Sequence, residues 1–380
     1  MDIQELRHQI DEIDDQLVEL FTQRMAVAAN ISAYKKERNL PIYIPARERE
    51  KLQDVAKKAG VDMANYTQVL YSMIFELSRS YQSKLGDSVS PLYQNITEAI
   101  QNTPKLFPQQ AMVACQGVEG AYSQIACEKM FKKPGILYFK NFEGVFSAVE
   151  KGFCQYGILP IENSTAGSVN QVYDLMREHN FYVVKSVRIP VSHCLVANIG
   201  TDIKDVKEII SHDQALAQCK RYLEKFNGVT ITSATNTAVA ANTVLSSGRK
   251  DFAAICSREC AELYGLKILQ SSVQDSDGNY TRFILIAKNL EIFTGANKVS
   301  VMTTLPHTPG SLYKTLAKLY NAGINVTKLE SRPITNSNFE FTFYFDFECD
   351  LSKPEVLAVI SELDGSCEKF TFLGAYSENV

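Results

Sequence analysis

One cation near the start of the chain stands where the surrounding pattern calls for an apolar side chain. Between residues 2 and 38, Ile3, Ile10, Leu17 and Ile31 form one heptad row, and Leu6, Ile13, Leu20, Val27 and Tyr34 form the other; Arg24 breaks the first row. A guanidinium aimed into a helical seam needs a partner, either a polar neighbour that sets register or an anion. Lys35 follows eleven residues later, which returns close to the same helix face ~16 Å along the axis, so both side chains can converge on one small dianion. Arg7 shares a row with Lys35 yet lies ~42 Å from it on a straight helix. The two can meet only if an antiparallel second copy of the helix brings its Arg7 to the Lys35 end of the first. Arg47 and Glu48 open a second helix, and Ser78 and Gln82, four residues apart, share one face of a third. Taken singly, these four read as solvated surface.

A second set of polar residues sits where strands give way to helices. Glu162, Asn163 and Ser164 follow the apolar run at 156–161. Ser211, His212, Asp213 and Gln214 follow another and precede the helical stretch that holds Gln218; residues 117–123, GVEGAYS, repeat the arrangement with glycines that permit a tight turn. Polar groups at a strand's C-terminal end, beside a helix N-terminus, can cradle an anion. One such motif alone is usually no more than a capped helix.

These residues sit in an ordinary globular composition. The chain has 380 residues, 45% hydrophobic and 22% charged, which excludes a disordered or collagen-like polymer and suggests two or three domains. Thirty-nine Lys plus Arg against 43 Asp plus Glu leave a net charge of −4, so the overall field favours neither nucleic acid nor an anionic membrane. No apolar run approaches the ~18 residues of a membrane span, and the acidic, amphipathic start of the chain is not built like a signal peptide. A cytoplasmic protein without nucleic-acid or membrane partners is expected. The nine cysteines form no CxxC pair and the five histidines no metal-binding spacing, so reduced thiols, no metal and no cofactor are expected.

The periodicity changes twice along the chain. One long helix is predicted over 2–38, a second from Pro45 to the stop at Gly60, and a third over about 63–84, closed by Gly86. Residues 87–109 mix Pro, Ser, Asn and Gln with one short helical patch and read as a linker. From 110 to 290 short apolar runs alternate with helical stretches, an α/β organisation. From 297 to 380 the order is strand, helix, two strands, helix, strand, a βαββαβ unit, with Phe339, Phe341, Phe343, Phe345 and Phe347 alternating as in a half-buried sheet.

Over about residues 2–85 the pattern resembles the all-helical chorismate mutase family, because Arg7, Arg24, Lys35, Arg47, Glu48, Ser78 and Gln82 fall where that family keeps its substrate-binding groups. The resemblance implies an intertwined dimer of three-helix domains and the pericyclic rearrangement of chorismate to prephenate, which needs oriented charge and no nucleophile. Arg24 and Arg47 would grip carboxylates, and Arg7 would come from the partner. Lys35 and Gln82 would bond the ether oxygen, with Glu48 and Ser78 completing the contacts. Ile44 stands where the family commonly has Asp, which implies altered mutase activity.

Residues 110–290 resemble prephenate dehydratase in the order and spacing of GVEGAYS, GILPIENSTAG, SHDQALAQC and NYTRF. The resemblance implies two α/β lobes, the second over about 191–272, and a substrate cleft between them. It would hold prephenate through Glu162, Asn163, Ser164, Ser211, Gln218, Thr281, Arg282 and Phe283, with Thr281 as the essential hydroxyl. Prephenate loses its ring carboxylate as CO₂ and its 4-hydroxyl as water. Hydroxide is a poor leaving group and needs a donor; Thr281 is the candidate, or Glu162 behind it if desolvation raises its pKa. Read by itself, Arg282 is more simply half of a structural ion pair. Asp213 stands where relatives usually have Pro.

Near the C-terminus, Pro309, Gly310, Ser311 and Leu312, with Glu330, Ser331, Arg332 and Pro333, resemble the two motifs by which ACT-type domains of this enzyme family bind phenylalanine at a subunit interface; Ser311 replaces the usual Ala. Feedback inhibition by L-phenylalanine is implied. The whole chain thus resembles the bifunctional P-protein family, a multidomain fold: an all-α mutase domain over 1–86, an α/β dehydratase domain over 110–290 and an α+β, ferredoxin-like ACT domain over 297–380. A homodimer is implied, with a tetramer left open. Two rivals remain: a dehydratase for prephenate or arogenate whose helical segment only dimerises, and a non-catalytic sensor of aromatic amino acids.

Overall fold

The computed structural model describes residues 2–38, 40, 44–85, 90–334, 340–351 and 353–379. The chain divides into two compact units, one of residues 1–97, 303–326 and 349–370, the other of residues 98–302, 327–348 and 371–380.

The first unit is helical. α1 (Ile3–Glu37), α2 (Pro45–Ala59) and α3 (Ala64–Leu85) follow in order. No Gly or Pro interrupts α1; a capping box between Asp2 and Glu5 opens it, and Lys35 and Lys36 face the negative end of its dipole. Pro45 starts α2, and Gly60, at φ +76°, ends it. Gly86, expected to close α3, and Pro41, Ile42 and Tyr43 lie outside the described residues. The residues of α1 that are buried are Ala28 and Ser32, and the Ser32 hydroxyl donates to the Gln82 carbonyl at 3.3 Å. Its apolar rows are otherwise open: Ile10, Ile13, Leu17 and Leu20 are 54–62% exposed. Burying such a side chain contributes roughly 1.5–3 kcal/mol, so this face calls for a cover that the other described residues do not supply.

The helical patch expected within the linker is a helix of its own. Residues 91–102 form α4 (Pro91–Asn102), with Ile96 only 1% exposed and Ala99 buried. Pro91 pre-sets the first turn, and the apolar side chains three and four apart give the helix one face to bury.

Two mixed sheets follow. The first lobe is built from β1 (Met112–Gln116), α5 (Tyr122–Met130), β2 (Gly135–Phe139), α6 (Phe142–Glu150), β3 (Tyr156–Asn163), β4 (Gly167–Ser168), α7 (Asn170–Leu175) and β5 (Tyr182–Pro190). The chain then crosses into β6 (Cys194–Ala197), β7 (Glu208–Ser211), α8 (Asp213–Gln218), α9 (Lys220–Leu223), β8 (Thr230–Ser233), α10 (Thr237–Ser247), β9 (Phe252–Cys256), α11 (Arg258–Leu263) and β10 (Lys267–Gln270). It returns to the first sheet as β11 (Tyr280–Ala287). The last elements are β12 (Lys298–Thr304), α12 (Ser311–Asn321), β13 (Asn325–Pro333), β14 (Phe341–Glu348), α13 (Pro354–Ser366), β15 (Lys369–Tyr376) and β16 (Glu378–Asn379).

The first sheet has the order β16-β5-β11-β3-β1-β2 with β4 beside β3, and the second the order β10-β6-β9-β7-β8. The return of β11 matters most, because it lies antiparallel between β3 and β5 and sets Thr281 opposite Asn163 and Arg282 opposite Glu162. The C-terminal strands form a third sheet, β13-β14-β12-β15. Its helices belong to the first unit, where Lys318 pairs with Glu362 at 3.0 Å and Ser90 donates to Ser361 at 2.9 Å. The half-buried alternation read from the phenylalanines does not hold for β14: Phe345 and Phe347 are buried, but so are Thr342 and Tyr344 on the opposite face. The Tyr344 hydroxyl reaches the Tyr173 carbonyl at 2.7 Å, so that face is occupied rather than solvated. Phe339 lies outside the described residues.

Candidate active sites

Three helices enclose a cleft of about 440 Å³ in the first unit. α1 lends Arg24, Val27, Ala28, Ile31 and Lys35, α3 lends Phe75, Ser78, Arg79 and Gln82, and Arg47, Glu48 and Lys51 come from α2, with Ile44 just before it. On α1 and α3 the spacings are three, four and seven residues, one face of each helix. Six of the seven residues expected for the mutase site therefore meet; Arg7 does not line the cleft.

The electrostatics of this cleft favour an anion. Arg24 lies 5.6 Å from the centre of the Phe75 ring, and its Nη1 is buried without a hydrogen-bond partner among the described residues. Burial pushes both the Arg24 guanidinium and the Lys35 ammonium below their ordinary pKa, with Glu48 acting in the opposite direction. Arg79, absent from the sequence reading, pairs with Glu48 and with Glu76 at 2.5 Å. Burial opposes its charge, but the two carboxylates outweigh that and raise its pKa. Gln82 donates from Nε2 to the Ser78 hydroxyl at 3.3 Å, while its Oε1 is buried without a partner among the described residues. Arg47 stands at the rim, 2.8 Å from Glu50 and well exposed.

The second cleft, about 380 Å³, lies in the other unit, and both of its sheets contribute. Asn163, Gln218, Thr281 and Phe283 of the expected set line it, joined by His193, His212, Ser123, Gln116 and Asn236. Gly117, at φ +108°, makes the turn that delivers residues 121–123 to the wall. The polar groups form a chain with a fixed direction. His193 Nε2 lies 3.0 Å from Gln218 Oε1, Gln218 Nε2 donates to Thr165 Oγ1 at 3.1 Å, and Thr165 Oγ1 donates to Asn163 Oδ1 at 2.7 Å. The backbone amides of Thr165 and Ala166 also donate to that oxygen, at 3.1 and 2.9 Å. Asn163 is thereby oriented, and its Nδ2 donates to Thr281 Oγ1 at 2.9 Å. Since the Thr281 oxygen accepts, its own proton is left to donate. Burial holds the His193 imidazole below its ordinary pKa against the contact with Gln218, which favours the neutral ring.

Four expected residues are not in this cleft, and the reasons are geometric. Side chains alternate between the faces of a strand, so Glu162 and Arg282 point to the side opposite Asn163 and Thr281. Glu162 meets Lys328 at 2.8 Å. Arg282 is buried between Asp346 at 2.5 Å, Glu378 at 2.7 Å and the Tyr376 hydroxyl at 2.7 Å, within an ion-pair cluster. Ser164 pins the loop after β3 to β11, donating to the Gly278 carbonyl at 3.1 Å and accepting from the Tyr280 amide at 2.9 Å. Ser211 is fully buried and donates to the Ile255 carbonyl at 2.6 Å.

The two C-terminal motifs differ in their surroundings. Gly310, at φ +85°, turns the chain into α12, and the Ser311 hydroxyl donates to the Thr308 carbonyl at 3.0 Å. On β13, Glu330 accepts from Ser168 at 2.5 Å and Arg332 grips Asp174 with two hydrogen bonds of 3.0 and 2.8 Å. Among the described residues no group of three or more metal-ligating side chains occurs, and no helix is long and apolar enough to cross a membrane.

Known proteins match both halves of this architecture. Residues 6–83 match the chorismate mutase type II family and residues 113–291 the prephenate dehydratase family. A bifunctional chorismate mutase/prephenate dehydratase of Aquifex aeolicus is 31% identical over 380 residues, 99% of this chain and 98% of the relative. The arogenate dehydratase/prephenate dehydratase 2 of Arabidopsis thaliana is 36% identical over 299 residues, 75% of this chain and 77% of the relative. Among solved structures, the prephenate dehydratase of Arthrobacter aurescens in complex with L-Phe superposes with a TM-score of 0.63 at 26% identity, covering 70% of this chain and 90% of that one.

Proposed function

The chain belongs to the bifunctional chorismate mutase/prephenate dehydratase family, and from that premise we propose how its two clefts divide the work. It rearranges chorismate to prephenate and converts prephenate to phenylpyruvate, consecutive steps of phenylalanine biosynthesis.

The helical cleft is the mutase site. Arg24, with its unpartnered buried Nη1, and Arg47 at the rim take the substrate carboxylates. Lys35 and Gln82 aim at the ether oxygen, where negative charge grows as the C–O bond breaks; removing one such oriented donor typically costs ~10²–10³ in rate. With its amide turned over, Gln82 accepts the Ser78 proton through oxygen, which satisfies the buried acceptor and frees Nε2 to donate. Arg79 holds Glu48 in place. Arg7 is supplied by a second copy whose α1 covers the exposed apolar rows, making an intertwined homodimer.

The α/β cleft is the dehydratase site. As the C–C bond to the ring carboxylate breaks, its electrons enter the ring, the C–O bond to the 4-hydroxyl breaks, and the departing oxygen takes a proton to leave as water. Thr281 donates to that oxygen. The observation that carries this assignment is the 2.9 Å bond from Asn163 Nδ2, which occupies the acceptor side of the Thr281 hydroxyl and turns its proton outward. Gln218, whose Nε2 keeps one proton beyond its bond to Thr165, holds the substrate. A direct comparison of kcat/KM with prephenate and with arogenate tests the substrate, and preference for arogenate would overturn the assignment.

The βαββαβ segment over 297–380 is an ACT-type regulatory unit that takes L-phenylalanine at an interface between copies through Pro309, Gly310, Ser311 and Leu312 and through Glu330, Ser331, Arg332 and Pro333. Phenylalanine then inhibits the dehydratase. The positive φ of Gly310 strains any residue that carries a side chain there, and the space beside it is open to a ligand. Gly310→Val should raise the phenylalanine needed for inhibition; unchanged sensitivity would remove Gly310 from the site.

A further inference from the structure

Strands β3 and β11 carry two cross-strand pairs on opposite faces. Asn163 and Thr281 face the dehydratase cleft, and Glu162 and Arg282 face away from it, in register one residue along. The rear pair is held entirely by C-terminal strands, Arg282 by Asp346 of β14 and Glu378 of β16. Glu162 is held by Lys328, whose Nζ lies 2.8 Å from Glu162 Oε1 and donates to Ser168 Oγ at 2.8 Å. Ser168, opposite Glu162 on β4, in turn donates to Glu330 at 2.5 Å, and Lys328 lies 3.6 Å from the same carboxylate. Lys328, Glu330 and Arg332 alternate along β13, so one face of the strand grips the β3–β4 hairpin and α7. That hairpin also carries the Thr165 and Ala166 amides that orient Asn163.

We propose that Lys328, with Ser168, is a regulatory clasp that ties β13 to the β3–β4 hairpin behind Asn163 and Thr281, and that phenylalanine inhibits the dehydratase by shifting this clasp. Glu330 and Arg332 are committed to the dehydratase sheet, so a ligand that draws on the 330–333 motif competes with those bonds and moves the hairpin. This inference rests on the phenylalanine-sensing role assigned above to the C-terminal unit.

The test compares full-length wild type, Lys328→Met, Lys328→Arg and Ser168→Ala, with dehydratase kcat and KM, the phenylalanine concentration for half-inhibition, and phenylalanine binding by calorimetry. Lys328→Met should still bind phenylalanine and turn over prephenate without it, but its half-inhibiting concentration should rise about tenfold or more, the size of an ordinary allosteric coupling. Lys328→Arg should keep inhibition. Ser168→Ala, which removes one hydroxyl and opens no cavity, should shift inhibition in the same direction. Inhibition of Lys328→Met and Ser168→Ala at wild-type concentrations, with binding intact, would overturn the clasp alone. Loss of turnover in both without phenylalanine would also overturn it, by making the pair part of the cleft's own support. Failure of the wild type to bind phenylalanine would overturn the sensing role and the clasp together.

Discussion

Arg7 and Arg24 lie 17 residues apart on one continuous helix, ~26 Å at 1.5 Å per residue, and Arg7 is absent from the cleft that Arg24 lines. A mutase site that needs both must therefore take them from two chains. Arg7→Ala and Arg24→Ala should each lose ~10²–10³ of mutase kcat, because every site in either homodimer lacks one oriented cation. When equal amounts are unfolded together and refolded, random pairing makes half the dimers mixed. In each mixed dimer one site carries both lesions, and the other combines Arg24 of one chain with Arg7 of its partner. Recovery of about one quarter of wild-type activity is expected, read as the rate of chorismate consumption, with mixed dimers counted by native mass spectrometry. Recovery no greater than the sum of the separate mutants, with mixed dimers present, would refute the shared site and with it the antiparallel pairing of α1.

Thr281→Val keeps the shape of the side chain and removes the donor, and should lower dehydratase kcat by ~10²–10³ with little change in KM, whereas Thr281→Ser should recover most of the rate; a fully active valine variant would exclude the hydroxyl. Ser211→Ala should cost ~1 kcal/mol of stability, measured by urea unfolding, because its hydroxyl serves the Ile255 carbonyl; an unchanged midpoint would refute that bond. His179 has Nδ1 3.0 Å from Glu150 and Nε2 3.1 Å from Glu143. Burial opposes its imidazolium, but the carboxylates outweigh burial and raise the pKa. Its stabilisation is then complete below the unfolded value of ~6.5 and lost as pH rises through the folded value. The Tm difference between wild type and His179→Ala should accordingly be larger at pH ~6 than at pH ~9, and equal differences would refute the ion pairs.

The mutase cleft was legible because a helix converts spacing into a face: Arg24 and Lys35, or Ser78 and Gln82, fall together once the period is known. Arg79 escaped because it stands one residue beyond Ser78 and shows its purpose only when Glu48 of another helix arrives beside it. In the dehydratase cleft, the period of two already forbids Glu162 with Asn163, or Arg282 with Thr281, from facing one ligand. Treating IEN and TRF as blocks hid that. His193 carried no spacing signal; its place beside Gln218 depends on how the chain crosses between two sheets, a long-range property. The double-sided burial of β14 likewise came from outside its own pattern, through Tyr173 and Arg282.

The central claim is that one chain holds two separate active sites, and purified Thr281→Ala supplied with chorismate tests it most directly, with chorismate, prephenate and phenylpyruvate followed together. Chorismate should disappear at the wild-type rate while prephenate accumulates one for one and no phenylpyruvate forms. Loss of chorismate consumption in step with phenylpyruvate, in a variant whose circular dichroism shows it folded, would contradict the claim.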